Sequence, residues 1–446
     1  MDAYRRIADR IAADITSGRL RPGERLPPQR KFARRHGIAA STAERAYGEL
    51  VRRGLVVGEV GRGTFVRAAA AAPAGRSLIE AATAAPVNME LNYPSAPGQS
   101  ELLAPTLAPL LRPDVLAEAL RPAPAGGTAA AREAMAGLLA TPGRRPSPDQ
   151  LLFTGNARQA IAAALASLVR PGGRVGVEAL TYPLVKEIAA RLGITLVPLD
   201  TDAEGVRPEA VAGARLSALY LQPTLHNPTS ATMSGARRAQ LAEAVSDLEL
   251  PVVEDRIWSF LADDSEPPLA AYAPHLTHVV DGLSKRVAPG LTVGLLVVPP
   301  HRVEAVAGAV RSGGWSAGRF ALEAGVRWIG DGTVARLVAA KREDAARRQE
   351  LVAEYLGGRG FDVRSDPRAY FAWWRLPAPW RADTFTAAAA AHGIAVTPGP
   401  AFAVDPSRTP DAVRLGLASA PVPDLERALR TLAGVAAAGA GGRSGR

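Results

Sequence analysis

Lys285 has the setting in this chain that stability alone explains least well. It stands in VVDGLSKRVAPGLTVGLLVV (279–298), where two apolar, β-branched runs flank a Gly/Pro-rich stretch. That pattern predicts two buried strands joined by a tight turn. An ammonium there must be paired or lose its proton, and a neutral amine is what Schiff-base chemistry requires. Arginine cannot substitute, because its guanidinium does not deprotonate. Only four lysines (Lys31, Lys186, Lys285, Lys341) occur among the 53 basic residues, so lysine at this position is a specific choice.

Three further residues fall at similar places. Asn227 lies in QPTLHNPTSATMS just after an apolar run, Asp255 ends PVVED, and Arg414 stands at the start of VRLGLA, after Val413. Each alone has a structural reading: Asn227-Pro228 as a turn, Asp255 as a helix cap, Arg414 as a surface ion pair. Together they offer an amine for covalent chemistry, an acid, an amide donor and a cation that binds carboxylate bidentately.

The elements that must position them follow from hydrophobic pattern. LLFT (151–154), RVGVE (174–178), ITLVPL (194–199), ALYLQP (218–223), PVVED (251–255), HVVD (278–281) and LTVGLLVV (291–298) read as short strands. Helical patterns at 157–169, 182–192 and 234–247 lie between them. Apolar strands alternating with helices predict a parallel α/β sheet that binds ligands beyond the strands' carboxyl ends. A long helical run, 331–356, then leads to FDVRS, YFAWWRL and VRLGLA, a smaller α+β portion.

Composition narrows the classes. At 446 residues the chain exceeds one ordinary core. The absence of cysteine excludes disulfides, thiolate nucleophiles and Cys-ligated metals, and the six histidines are scattered without HExxH, so no metal site is expected. No apolar run approaches the roughly 20 residues of a membrane span, and MDAYRRIADR is unlike a signal peptide; the expected location is cytoplasmic. Charge is concentrated at the start. Residues 1–67 hold 15 Lys/Arg against 7 Asp/Glu, a net +8 of the +10 total, the footprint of a small nucleic-acid-binding module on a near-neutral body.

That module is legible in detail. Tyr4, Ile7, Ile11 and Ile15 recur at helical spacing and Gly18 ends the run, predicting a helix over 2–17. PPQRKFARRHG gives a short second helix, and a third follows, N-capped by Ser41 and closed by Gly54. LVVGEV and GTFV around Gly61-Arg62-Gly63 form a hairpin. Three helices and a β-wing make a winged helix-turn-helix, whose third helix enters the major groove of double-stranded DNA. The run LRPGERLPPQRKFARRHGIAASTAERAYGELVRRGLVVGEVGRGTFV resembles the GntR family of regulators. The resemblance implies DNA contacts by Arg30, Thr42 and the wing tip Arg62-Gly63, with Lys31, Ser41 and Arg45 beside them. Where the family usually carries Arg two residues before the Thr, this chain has Ala40.

A Schiff-base lysine, an acid for a pyridine nitrogen, an amide for a phenolate oxygen and a carboxylate-binding arginine are what a pyridoxal 5'-phosphate site supplies. At these residues the sequence resembles a fold-type I aminotransferase, and the fusion resembles the MocR subgroup of GntR regulators. The resemblance implies a multidomain chain: a winged helix-turn-helix at 1–67, a linker at 68–88, an α/β PLP-dependent transferase-like domain at 89–436 (large part about 125–330, small part about 331–436), and a disordered tail at 437–446. It implies that Lys285 holds the cofactor covalently, Asp255 pairs with the ring nitrogen, and Asn227 holds the ring oxygen. Gly155, Asn156 and Ala157 would offer backbone N–H groups to the phosphate, with Tyr182, Trp258 and Ser284 close by and Arg414 on an effector's carboxylate.

Departures accompany the resemblance. The family's phosphate arginine is Thr292, the serine three residues before the lysine is Gly282, the tyrosine three residues after the aspartate is Trp258, and LRPAPAGGTAAARE lacks another tyrosine. Arg286 and Arg158 stand near enough in sequence to replace the lost phosphate contacts. The expected protein is a DNA-binding homodimer whose cofactor-bearing domain senses a small amino compound. Two rivals stay open: a working aminotransferase carrying a DNA module, and a body that has lost the cofactor and only dimerises.

Overall fold

The computed structural model describes residues 3–16, 19–20, 23–52, 55–59, 63–66, 85–262, 266–405 and 409–441. The expected wing-tip residue Arg62, most of the expected linker (to residue 84) and the tail from 442 lie outside the described residues.

The first 66 residues contain α1 (Ala3–Thr16), β1 (Arg25–Leu26), α2 (Gln29–Arg35), α3 (Ala40–Arg52), β2 (Val56–Glu59) and β3 (Gly63–Val66), the strands ordered β1-β3-β2. Ile7, Ile11, Phe32, Ala43, Ala46, Tyr47 and Leu50 form the core, so the spacing read from sequence is the buried face. The Tyr47 hydroxyl donates to the Pro27 carbonyl at 2.7 Å, tying α3 to the turn before α2. One detail differs from expectation: α3 begins at Ala40, so Ser41 lies inside its first turn rather than capping it.

The body is organised on a seven-stranded sheet. In spatial order its strands are β5 (Leu151–Thr154), β11 (Gly294–Val297), β10 (Thr277–Gly282), β9 (Val252–Asp255), β8 (Ala218–Leu221), β6 (Arg174–Glu178) and β7 (Thr195–Leu199). The sheet is mixed, not wholly parallel as expected: β11 runs antiparallel to both β10 and β5. The reason lies between β10 and β11. They are joined by the single-turn helix α7 (Leu283–Arg286) and a short loop, too little chain for the crossover that a parallel pair needs. Lys285 thus sits on a helical turn, not in a tight turn. Apolar clusters cover both faces of the sheet, and α4 (Ala157–Leu168), α5 (Pro183–Arg191) and α6 (Gly235–Asp247) are among the helices on it.

The small part pairs β12 (Asp362–Ser365), β13 (Phe371–Arg375), β16 (Ala412–Gly416) and β15 (Thr397–Pro398), reached through the 23-residue helix α8 (Thr333–Tyr355). A segment far upstream joins it. Val87–Asn88 (β4) pair in parallel with Ile394–Ala395 (β14), and the Gly416 N–H donates to the Met89 carbonyl at 2.7 Å. The chain that follows β4 is thereby laid along β16. Among the described residues no helix is long and apolar enough to cross a membrane.

Candidate cofactor and effector site

One cavity gathers most of the residues singled out above: Asn156, Ala157, Tyr182, Asn227, Asp255, Trp258, Ser284, Lys285, Thr292 and Arg414 all line it. It lies where the parallel strands' carboxyl ends open, as an α/β sheet dictates. Asp255 ends β9, Asn227 follows β8, and α7 carries Lys285 directly after β10. Arg414 enters from the small part, on the central strand β16, with Trp373 and Thr397 as its strand neighbours.

The Lys285 ammonium has a defined seat. Nζ donates to the Asn92 carbonyl at 2.6 Å and lies 4.1 Å from the centre of the Tyr93 ring and 5.0 Å from that of Trp258. Burial pushes its pKa down to about 7, with Arg414, Arg158 and Lys341 adding repulsion. The amine is therefore substantially unprotonated near neutral pH, as a nucleophilic lysine must be. Trp258 supplies an aromatic face rather than a titratable hydroxyl; it is 5% exposed and packs edge-on against Phe371 at 5.6 Å.

Asp255 is held by three donors. Tyr220 Oη and Gln222 Nε2 approach Oδ2 at 2.6 and 2.9 Å, and the Ile257 N–H approaches Oδ1 at 3.0 Å. Burial raises its pKa, while these hydrogen bonds pull it back. A carboxylate accepts about four hydrogen bonds, so Oδ1 keeps one place for a further donor. Gln222 is the organiser that sequence reading passed over. Its amide also accepts from the Asn227 N–H at 3.2 Å, and its own N–H donates to Glu178 at 2.7 Å. The Asn227 Oδ1 is left buried without a hydrogen-bond partner.

On the far wall, Asn156 caps α4 by accepting from the Gln159 N–H at 3.1 Å, and Arg158 lines the cavity one residue beyond Ala157. Gly155 departs from expectation: its N–H donates to the Trp315 carbonyl at 3.1 Å and is not available to a ligand. Thr292 lines the same cavity, and its Oγ1 is buried and without a partner. Arg286 does not reach the cavity. It pairs with Asp281 at 2.5 Å on the other side of the turn, leaving Arg158 as the candidate to replace the missing cation. Gly282 is dictated by packing, because a Cβ there would stand 2.9 Å from the Val293 carbonyl.

A second buried lysine underpins the first. Lys341, on α8 and fully buried, donates to the carbonyls of Lys285, Arg286 and Val287 at 3.0, 3.1 and 2.8 Å. These are the acceptors a helix leaves open at its C-terminal end, so the Lys341 nitrogen fixes the turn that carries Lys285. The signal was present in the sequence, since Lys341 is one of only four lysines, but nothing local tied it to residue 285.

On the N-terminal module, Arg30, Lys31, Ser41 and Arg45 are exposed and Thr42 is half-buried, all on α2 and α3. The Arg45 guanidinium lies 6.0 Å from the centre of the Tyr4 ring, and Gly63 opens β3 with φ 121, a conformation that favours glycine.

Comparison with known proteins agrees with both halves. Residues 3–66 match the bacterial regulatory proteins of the gntR family, and residues 119–432 match the aminotransferase class I and II family. The uncharacterized HTH-type transcriptional regulator YdeF of Bacillus subtilis is 30% identical over 434 residues, spanning 96% of this chain and 93% of its own. The HTH-type pyridoxine biosynthesis transcriptional regulator PdxR of Corynebacterium glutamicum is 24% identical over 79% of this chain and 78% of its own. Among solved structures, the α-aminoadipate aminotransferase LysN of Thermus thermophilus, complexed with N-(5'-phosphopyridoxyl)-L-leucine, superposes with TM-score 0.73 at 21% identity, covering 82% of this chain and 95% of that one. The chain thus belongs to the MocR-type family of HTH-type transcriptional regulators, in which a GntR winged helix-turn-helix is joined to an aminotransferase class I and II domain.

Proposed function

We propose that the aminotransferase-like domain binds pyridoxal 5'-phosphate at Lys285 and senses a small amino compound with a carboxylate, so that a homodimeric regulator binds its DNA differently with and without that compound. The observation that carries this reading is a single cavity combining a lysine amine pushed down to about 7 with Asp255, Asn227 and Arg414.

The residues present fit the cofactor. One buried group able to donate to an anion, the Thr292 hydroxyl, has no hydrogen-bond partner in the protein. The N-terminus of the 12-residue helix α4 and Arg158 lie on the same wall and suit a phosphate. Pyridoxal phosphate, when bound, supplies an aldehyde that condenses reversibly with primary amines. Lys285 supplies the amine that holds it. Asp255, fixed by Tyr220 and Gln222, keeps Oδ1 for a protonated ring nitrogen, and Asn227 meets the ring oxygen. Arg414, whose Nε is also buried without a partner, takes the effector's carboxylate. Residues of α2 and α3, with Arg30 foremost, contact DNA.

A ligand shifts such a regulator only through different affinities for its two states. The test is fluorescence anisotropy of a DNA fragment selected from genomic DNA by the cofactor-loaded full chain, titrated with a panel of amino acids. At least one is expected to change DNA affinity several-fold, and Arg414→Gln to abolish the response. An affinity indifferent to every amine tested sinks the sensing role.

A further inference from the structure

The residues described so far account for an amine and a carboxylate on the effector, but the cavity carries one more charged group. Residues 90–93 form its wall facing the small part. The Glu90 carbonyl accepts from Arg414 Nη2, the Asn92 carbonyl accepts from Lys285 Nζ at 2.6 Å, and the Tyr93 ring lies beside the same ammonium. The segment is fastened to β16 and its continuation, with the Ala418 N–H donating to Asn92 Oδ1 at 3.1 Å and the Tyr93 N–H to Ser419 Oγ at 3.0 Å. Backbone carbonyls of residues 90 and 92 thus seat Arg414, which takes the effector's carboxylate, and Lys285, which holds the cofactor.

Glu90 lines the same cavity, and its carboxylate lies within electrostatic reach of Arg414. It is half-buried, and among the described residues its carboxylate makes no hydrogen bond or ion pair. Burial raises its pKa while the Arg414 charge lowers it. Arg414 does not neutralise it by contact, since its Nη2 is occupied by the Glu90 carbonyl and by Thr397 Oγ1 at 2.9 Å. Once a ligand carboxylate sits on Arg414, Glu90 faces a neutralised cation and keeps its own charge unmatched. A half-buried carboxylate in that position attracts a cation on the ligand and repels a second carboxylate.

Resting on the reading of this cavity as a cofactor and effector site, we propose that the effector is a diamino carboxylate: one amine for the cofactor, the carboxylate for Arg414, and a second, cationic amine held by Glu90. Acidic amino acids are excluded by the same group. A partly desolvated charge pair of this kind is expected to favour the diamino ligand by roughly tenfold or more over a neutral ligand of equal length.

The test uses the full chain loaded with pyridoxal phosphate and isothermal titration calorimetry. L-2,4-diaminobutyrate, L-ornithine and L-lysine are compared with L-norvaline, L-norleucine and L-glutamate, in wild type, Glu90→Gln and Glu90→Lys. Wild type is expected to bind the best diamino acid at least about tenfold more tightly than its neutral counterpart, the Gln variant to bring that ratio near one, and the Lys variant to turn preference toward L-glutamate. Neutral amino acids binding wild type as tightly as diamino acids overturn the proposal without recourse to any variant, as does an unchanged ratio in a folded Glu90→Gln protein. Binding of no amine at all, despite a bound cofactor, overturns the sensing role together with this inference.

Discussion

Replacing Lys341 by methionine tests whether the buried lysine sets the chemistry of Lys285 or only fills space. The side chains are similar in length, but methionine leaves the carbonyls of Lys285, Arg286 and Val287 without their donor. A buried acceptor left unsatisfied costs about 1–3 kcal/mol. With three acceptors affected and the desolvation of a buried ammonium relieved, net destabilisation of about 3 kcal/mol is expected. Two further effects separate electrostatics from packing. Lys341 is among the cations that depress the Lys285 pKa, after burial, Arg414 and Arg158. Its loss should raise that pKa and move the pH profile of cofactor loading toward alkali. Burial also pushes Lys341 itself from 10.5 down to about 7. Between those values the unfolded chain binds a proton that the folded chain does not, so this lysine's contribution to stability rises with pH across the window, by at most about 1.4 kcal/mol per pH unit. The stability of wild type relative to the methionine variant should therefore increase from about pH 7 toward the unfolded lysine's value. The assays are chemical denaturation of the cofactor-free protein at several pH values and the rate of borohydride-trapped cofactor loading against pH. A variant with wild-type stability and an unshifted loading profile would refute the reasoning, and a stability loss with an unshifted profile would reduce Lys341 to a structural cap.

Thr292→Arg restores a cation where Thr292 Oγ1 is buried without a partner; a charge-assisted contact worth about 1.5–3 kcal/mol should tighten pyridoxal phosphate roughly 10- to 100-fold, read by equilibrium dialysis. Gly282→Ser, which also restores a family residue, should instead weaken cofactor binding and stability, because its Cβ meets the Val293 carbonyl at 2.9 Å; tighter binding in this variant would show that the close approach is not limiting. Arg30→Ala should weaken DNA binding and lower the slope of log affinity against log salt by about one, and an unchanged slope would remove Arg30 from the interface.

Local pattern carried a large part of this structure. The strand runs from LLFT to HVVD are nearly continuously apolar because helices cover both faces of the sheet, and the three helices of the N-terminal module bury the faces their spacing indicates. The site residues Asp255, Asn227 and Lys285 could be picked out because each stands at or just beyond the end of such a strand, whereas Arg414 lies within β16. What could not be read depends on pairing over long separations. The antiparallel entry of β11 follows from the shortness of the connection through α7, which looks in sequence like a simple turn. Residues 87–88 read as the end of a linker and 89–93 carried no strand pattern, yet this segment pairs with residues near 395 and 416 and supplies the carbonyls beneath Lys285 and Arg414. Lys341 lies 56 residues from the turn it caps. Gly282 appeared to be a lost phosphate ligand, and its reason is a close approach of two strands that only the fold reveals.

The most direct test of the central claim is the absorbance spectrum of the full chain mixed with pyridoxal phosphate, before and after borohydride, beside Lys285→Ala. A visible absorbance band that borohydride abolishes in wild type, with the label recovered on the peptide containing Lys285 and no such band in the variant, is the predicted result. Wild type without a reducible band at saturating cofactor, or a variant with the same band as wild type, would contradict it.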